Sequence, residues 1–323
     1  MSFKVISKVA LGLAMFSFAA PLLAEPMPRF SVMSFNTWYG CSRVDGGFEK
    51  AKAAILASKA DLVGMQEASP ELAQRMADAL GWQRANIGSG SVQILSRHPV
   101  VETFCAADGI GEDRFIGAKI RINDEAGREV ILGNIHLDFV HYGPYAARLD
   151  GATPASVLAE NGKSARVAQM EAALRALRPW LAGADATPVV LTGDFNVPSH
   201  LDWTAATAAA NGGVGAVAWP ESRLVQEAGL VDSYRSLHPD PVAESGNTWS
   251  TVHKETEPQD RIDFIYFKGG SLVAESSATF TTGVETTVGA WGCDHAPVAS
   301  NTWPSDHAAV LTTFRWKASD ASP

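Results

Sequence analysis

The chain reads as an α/β protein built from two facing mixed sheets with helices on the outside. Two observations carry this. Short apolar runs alternate with stretches of helical spacing along almost the whole sequence, so buried strands alternate with amphipathic helices. Some runs are separated by a helix and others only by a turn, as at Gly127, so parallel and antiparallel pairings must coexist. The composition agrees: of 323 residues, 46% are hydrophobic and only 19% charged, which suits strands covered on both faces.

Phe30 to Phe35 alternates apolar and small residues and stops at Asn36, which predicts a first strand. Phe48, Ala51, Ile55 and Leu56 then recur at helical spacing, predicting a helix from Phe48 to Ala60. Asp61 to Met65 is a second strand, ending at Gln66-Glu67. Ser69-Pro70-Glu71 combines a capping serine with proline at the first helical position and opens a helix through Leu80. Further strands are predicted at Ser91 to Ser96, Phe115 to Ile122, Glu129 to Ile135 and Pro188 to Leu191, with a long helix from about Gly162 to Leu181. Arg261 to Phe267 and Ala308 to Trp316 complete the set. No internal repeat or interdomain linker interrupts it, so residues 25–317 are expected to form one catalytic domain, followed by a polar tail at 318–323.

Residues 1–24 carry Lys4 and Lys8, then an apolar stretch from Val9 to Leu23, with small residues before Glu25. That is the pattern of a secretory signal peptide, and it predicts export to the periplasm or beyond, with no stable membrane insertion once the leader is cleaved. The formal net charge is -9, and losing the two leader lysines makes the remainder more acidic. A field of that sign argues against a generic nucleic-acid coat, although local basic loops could still serve a nuclease. Three cysteines are an odd number for an exported chain. The simplest expectation is one disulfide, Cys41 with Cys293, on loops around the site, plus one buried thiol.

The chemistry lies where apolar runs end. Leu191-Thr192-Gly193-Asp194-Phe195-Asn196 places a carboxylate and an amide two residues apart, so on an extended segment both face one target. A plain turn would use the same residue types. Gly133-Asn134-Ile135-His136-Leu137-Asp138 repeats the logic: His136 and Asp138 are expected to share a face, with His136 able to bind a phosphate oxygen or protonate a leaving group. Glu67 ends a buried strand, where a carboxylate needs a cation or a basic partner. Asp263 interrupts the apolar strand around Ile262 and Phe264, and either His307 or Arg261 could answer it. The last motif, Trp303-Pro304-Ser305-Asp306-His307, adds a second acid and a second imidazole. Carboxylates, amides and histidines gathered from several strand ends make a hard-cation site with acid–base groups beside it. Nucleophile-elbow serines, Walker-type phosphate loops and zinc His-Glu-x-x-His helices are absent from the sequence.

In this order the motifs resemble those of the endonuclease/exonuclease/phosphatase superfamily, which includes pancreatic-type deoxyribonucleases, abasic-site endonucleases, bacterial sphingomyelinases and inositol polyphosphate 5-phosphatases. The likeness runs from Ser34-Phe35-Asn36 through Gln66-Glu67, Gly133-Asn134-Ile135-His136-Leu137-Asp138, Gly193-Asp194-Phe195-Asn196 and Arg261-Ile262-Asp263 to Ser305-Asp306-His307. It implies a four-layer α/β sandwich and a Mg²⁺ (or Mn²⁺) ion held chiefly by Glu67, with Asn36 and Asp306 nearby. By the same likeness, Asp194 and Asn196 orient water and phosphate, His136 and His307 flank the scissile phosphorus, and Asp263 supports His307. Whether His307 or Asp194 takes the proton from water stays open.

The chain departs from that pattern in two insertions. One, Phe139 to Glu160, carries His141, Tyr142, Tyr145, Arg148 and Asp150; the other, Glu285 to Asn301, carries Trp291, Cys293, Asp294 and His295. Asp294-His295 resembles Asp306-His307 but leads into no strand, so the later pair takes the catalytic role. Trp38, Tyr39, Tyr142, Tyr145, Trp291 and Trp303 are expected to contribute an aromatic rim. The reading that follows is an exported, monomeric, metal-dependent phosphodiesterase acting on a non-nucleic phosphate ester, a lipid headgroup or a phosphorylated sugar. The alternatives are a secreted nuclease drawing on Arg43, Arg97, Arg114 and Arg148, a phosphomonoesterase, and a silent binding protein on the same fold.

Overall fold

The computed structural model of the protein describes residues 1, 28–88, 90–106, 113–122, 126–284 and 300–317. The expected leader (apart from Met1), the tail and Trp291, Cys293, Asp294 and His295 lie outside the described residues.

In chain order, β1 (Arg29–Asn36) leads through a four-residue turn, α1 (Trp38–Cys41), to α2 (Gly47–Ser58), β2 (Leu62–Gln66), α3 (Pro70–Leu80), β3 (Gln83–Arg84) and β4 (Gln93–Ser96). There follow β5 (Val100–Cys105), β6 (Phe115–Arg121), β7 (Glu129–His136), α4 (Gly143–Ala146), α5 (Pro154–Asn161), α6 (Arg166–Ala182) and β8 (Val189–Asp194). The last part holds α7 (Pro220–Glu227), β9 (Val231–Asp232), α8 (Ser233–Leu237), β10 (Asp263–Lys268), β11 (Leu272–Phe280) and β12 (Ala309–Trp316). The strands form two six-stranded sheets, β11-β12-β1-β2-β4-β3 and β5-β6-β7-β8-β10-β9. Each is antiparallel except for one central parallel pair, β1 with β2 and β7 with β8. The expected sandwich of two mixed sheets is therefore present.

Alternate residues of the central strands serve different layers. On β1, Val32 belongs to the cluster between the sheets, with Leu132, Val190 and Ile265. Its neighbour Met33 packs outward with Ala54, Ile55 and Met76 of the helices α2 and α3. On the other side Met170, Ala173 and Leu177 of α6 cover the second sheet. Burial on both faces is why these strands read as continuous apolar runs.

A buried polar tie crosses the gap between the sheets near the site. Gln66 Nε2 donates to Asn134 Oδ1 at 2.6 Å, and Asn134 Nδ2 returns to the carbonyls of Met65 (2.8 Å) and Gln93 (2.9 Å). Thr192 Oγ1 completes the tie at 3.1 Å from Asn134 Oδ1. The sheets approach so closely here that a Cβ on Gly64 would lie 2.2 Å from Thr192 Oγ1. Buried amides bonded across the gap in this way specify one relative placement of the two sheets, and so of the strand ends that carry the site.

The sequence reading missed the edge strands β5 and β11. Both are interrupted by register shifts, between Val100 and Glu102 and between Ala274 and Ser276. Glu275 and the serines of β11 give that strand the polar surface of a sheet edge, which erases the apolar alternation. The long helix begins at Arg166 rather than Gly162, because α5 runs on to Asn161 and Asp138 Oδ2 accepts from Ala165 N at 3.0 Å just before α6.

Candidate active site

Strand register brings the site residues to one edge of the sandwich. Asn36 pairs with Gln66, so Asn36 and Glu67 emerge side by side from the first sheet. His136 pairs with Asp194, and Asp263 with Asp194, so these three emerge from the second. Asp306 and His307 arrive on the segment before β12, where Ser305 Oγ donates to the carbonyl of Asn36 at 2.7 Å and accepts from His307 N at 3.0 Å.

Asp194 Oδ2 is the hub. It accepts from Asn36 Nδ2 at 2.9 Å and lies 3.6 Å from His136 Nε2 and 3.8 Å from His307 Nε2. The other oxygen, Oδ1, accepts from Asn196 N at 2.8 Å. His307 Nδ1 meets Asp263 Oδ2 at 2.9 Å. Asp263 thus answers His307 rather than Arg261, which is fully engaged with Asp202 and Asp232. Asn196 Nδ2 is anchored on the carbonyl of Leu137 at 3.0 Å. Asn36 also donates to Glu67 Oε1 at 3.3 Å, and its Oδ1 accepts from Trp38 N at 2.9 Å. In this arrangement the amide nitrogen of Asn36 bridges the two acids.

The backbone around this hub is unusual. Among the described residues, seven non-glycine residues have positive φ, and all but the helix-capping Lys59 are on the site loops: Trp38, Tyr39, Cys41, Glu67, His141 and Asn196. Each such residue is held against its intrinsic preference, by about 1–2 kcal/mol. The left-handed α1 turn points the backbone N–H of Tyr39 at Glu67 Oε2, 2.5 Å away.

Burial sets the charge states. It pushes the Asp194 carboxyl up to about 7, an effect that Asp263 reinforces. Burial likewise raises Asp306 to about 7. His136 is driven down to about 4 by burial, so its imidazole is neutral near neutral pH. His307 goes the other way: burial alone would lower it, but the carboxylates of Asp263, Asp194 and Asp306 together hold it well above its ordinary value as an imidazolium.

Two regions offer oxygen to a cation. Asp194, Asp263 and His307 present ligand atoms within 4.8 Å of one another, a group that could hold a metal ion. An imidazolium cannot be a ligand, however, and His307 already supplies that cluster with positive charge. The second region lies around Glu67 and Asp306. Asp306 Oδ1 is buried with no hydrogen-bond partner, and its Oδ2 has only the indole of Trp249 at 3.4 Å. A buried carboxylate oxygen left in that state, with a second acid nearby, fits a hard divalent cation.

These groups floor a cavity of about 490 Å³. Its walls are aromatic: Trp38, Tyr39, Phe139, Tyr142, Tyr145 and Trp249. Arg114 lines the same cavity and has no ionic partner among the described residues. The other arginines considered for nucleic acid are turned to different tasks. Arg43 lies over the Tyr39 ring, Arg97 pairs with Asp61 and covers Trp82, and Arg148 donates to the Thr256 carbonyl.

Three expectations need correction. Trp303 is no rim residue; it is fully buried, its ring tilted against that of Phe35 with centroids 5.0 Å apart. Asp138 does not share the catalytic face of His136, because its carboxylate accepts from Ala165 N and Val140 N in shaping the loop. Cys41 is a buried free thiol, and its expected partner Cys293 lies outside the described residues.

Trp249 was missed in the sequence, where a tryptophan amid small polar residues carries no signal. It packs edge-on to Tyr142 at 5.6 Å and lies 6.2 Å from the His307 ring. Its backbone bridges both Asp260 and His307, which straps the segments leading into β10 and β12 together.

Among solved structures, the chain is similar to Danio rerio TDP2 complexed with a single-strand DNA product, at 17% identity, TM-score 0.55, covering 89% of this chain and 99% of that one. It is similar to the human Nocturnin catalytic domain with bound sulfate, at 16% identity and TM-score 0.56, with 90% and 96% covered. A mannosyl-6-phosphatase of Bacteroides thetaiotaomicron matches at 17% identity and TM-score 0.55, with 88% and 99% covered. At these identities the likeness is one of fold. In sequence, the Caenorhabditis elegans protein F14F9.5 is 30% identical over 302 residues, which span 88% of this chain and 90% of the relative. The Endonuclease/Exonuclease/phosphatase family model matches residues 33–307, from the first strand to the catalytic-type histidine of the last motif, and the chain belongs to that family of phosphoesterases.

Proposed function

We propose that the protein hydrolyses a non-nucleic phosphodiester, a lipid headgroup or a phosphorylated sugar, outside the cytoplasm. The observation that carries this reading is the cavity itself: catalytic-type groups lie at its floor, its wall is aromatic, and among the described residues Arg114 is the one arginine that lines it. A polyanion tracked along its backbone requires a basic groove, whereas a compact ester with an apolar or sugar substituent fits this wall.

Glu67 and Asp306 would hold the divalent cation, Mg²⁺ or Mn²⁺, with Asn36 beside them. When bound, such an ion supplies Lewis acidity and positive charge for the phosphoryl oxygens. Asp194 Oδ2 is the base that takes the proton from water, because its raised carboxyl titrates close to neutral pH. His307 is held as an imidazolium by Asp263 and stabilises negative charge on the phosphoryl group. His136, neutral, contributes a hydrogen bond rather than a proton. Asn196, anchored at Leu137, orients the phosphate.

The test is hydrolysis of a diester panel by the leaderless protein, with Mg²⁺ and with chelator. The panel holds phosphatidylcholine, sphingomyelin, bis-nitrophenyl phosphate, plasmid DNA, RNA and a sugar monophosphate. Cation-dependent turnover of lipid or the artificial diester, with nucleic acid intact, supports the reading. Nicking of plasmid would replace it with the nuclease. Turnover of a sugar monophosphate alone would make the enzyme a monoesterase. Export rests on the leader at 1–24, and sequencing the N-terminus of protein recovered from the periplasm tests both the cut and the compartment.

A further inference from the structure

Half of the exposed large apolar side chains of the described domain, outside Met1, gather on the site loops. Phe139 is 66% exposed, Val140 42%, Tyr145 43% and Leu149 69%, all within the first insertion, and Tyr39 across the cavity is 55% exposed. Phe139, Tyr145 and Tyr39 line the cavity, so the apolar surface is continuous with the mouth of the site. The remaining ones, Leu56, Val101, Val231, Leu237 and Val242, are scattered along the chain. Single exposed apolar residues need no explanation, but a cluster around a cavity mouth does.

The exposure is built in. Arg166, itself fully buried, donates Nη1 to the carbonyls of Asp138 and Val140, both at 2.8 Å, and Nη2 to that of His141 at 2.7 Å. The guanidinium therefore fixes the loop that turns Phe139 and Val140 outward. Farther along, Tyr145 Oη donates to Glu257 Oε2 at 2.5 Å, which pins the ring by its polar end while its apolar edge stays at the surface. Leu149 follows one helical turn later, through the bonds from Arg148 N to the Tyr145 carbonyl and from Leu149 N to the Ala146 carbonyl. These bonds fix the backbone that carries Phe139 and Val140 and the ring of Tyr145, and with that backbone in place the side chains lie at the surface.

We propose that this rim seats the protein on a lipid bilayer, with the catalytic cavity opening onto the membrane. The proposal rests on the phosphodiesterase reading and extends it to an interface. Rim side chains immersed at the boundary between headgroups and acyl chains bring a lipid phosphate into the cavity, since the headgroup lies on the protein side of that boundary. The formal charge of -9 makes the preferred surface zwitterionic rather than anionic. Among the described residues no helix is long and apolar enough to cross a membrane, so the contact is peripheral.

The experiment is co-sedimentation of the leaderless protein with phosphatidylcholine vesicles, run beside hydrolysis of soluble bis-nitrophenyl phosphate. Val140 and Leu149 do not line the cavity, so the double variant Val140→Ser/Leu149→Ser removes rim surface only. The expected result is capture of the wild type, insensitive to salt, with the partition coefficient of the variant about tenfold lower or less, as losing two partly immersed aliphatic groups implies. Turnover of the soluble diester should be equal in both. Absence of wild-type capture, or equal capture of both proteins, overturns the proposal. Stronger capture on phosphatidylglycerol vesicles that salt abolishes also overturns it, because arginines rather than the apolar rim would then bind. Capture without any turnover of the soluble diester leaves the rim standing and removes the catalytic reading.

Discussion

His307 Nδ1 and Asp263 Oδ2 lie 2.9 Å apart, joining the segment before β12 of one sheet to the first residue of β10 in the other. The contact holds the imidazole in one orientation and keeps it charged, while Nε2 faces Asp194 Oδ2 at 3.8 Å. Two sheets that must be aligned for this pair to form are aligned by the Gln66–Asn134–Thr192 tie beneath it.

Asp263→Asn should leave the fold intact and lower kcat by about 10²–10⁴-fold, with KM little changed, by the logic of carboxylate-oriented imidazoles. The amide cannot hold the positive charge, so the His307 imidazole should also titrate at lower pH. Nitrogen or ring-proton NMR of the histidines checks that shift independently of turnover.

Trp249→Phe keeps the ring between Tyr142 and His307 but deletes the indole N–H that Asp306 Oδ2 accepts. A loss of about fivefold to tenfold in kcat/KM is expected, in line with about 1 kcal/mol for a neutral donor on a carboxylate. The concentration of Mg²⁺ giving half-maximal rate should change as well, because the acid it touches is a proposed ligand. An unaltered cation dependence would assign Trp249 a purely packing role.

A divalent cation should raise the thermal midpoint, and chelator should reverse it. Burial holds Asp306 at about 7 without the ion, so binding must release its proton. The stabilisation should therefore be larger at pH 8 than at pH 6, at fixed Mg²⁺ concentration. In Glu67→Ala the shift should largely vanish. A pH-independent shift surviving in that variant would move the ion elsewhere.

Asp260, which is not among the proposed cation ligands, offers a separate test of burial. Its carboxylate accepts from Trp203 Nε1 at 2.9 Å and Tyr142 Oη at 2.7 Å, yet burial pushes it up to about 6. A carboxyl raised in the fold favours the folded state below its unfolded value, and that contribution is lost as pH rises through about 6. Relative to Asp260→Asn, the wild type should lose about 2 kcal/mol of stability between pH 4 and pH 7. Denaturant midpoints of the pair across that range give the answer; a flat difference would mean that the carboxyl titrates normally.

The architecture was readable because its causes are local. The short run of apolar and small residues from Phe30 to Phe35, the continuous apolar run ending at Asp194, and the Ser69-Pro70 helix start each express a backbone preference within a few residues. The edge strands were not readable, since β11 is polar and interrupted by a register shift. Trp303 shows the limit for side chains: a tryptophan beside a catalytic-type motif reads as a rim residue until Phe35 and Phe280 enclose it. Asp138 shows the same limit for a carboxylate, diverted from the site by an N–H of Ala165, a residue distant in sequence.

Thus the order of strand ends, and with it the acids, amides and histidines available for phosphoester chemistry, belongs to the sequence alone, because strand period and helix capping are properties of neighbouring residues. The tertiary structure decided which of those groups are charged and which meet. Burial by residues far apart in the chain raises Asp194 and lowers His136, and the register of β7, β8 and β10 brings Asp194, Asp263 and His136 within reach of His307. It likewise decided that Arg166 holds Phe139 and Val140 out in water, since a side chain's exposure depends on what the rest of the chain places beside it.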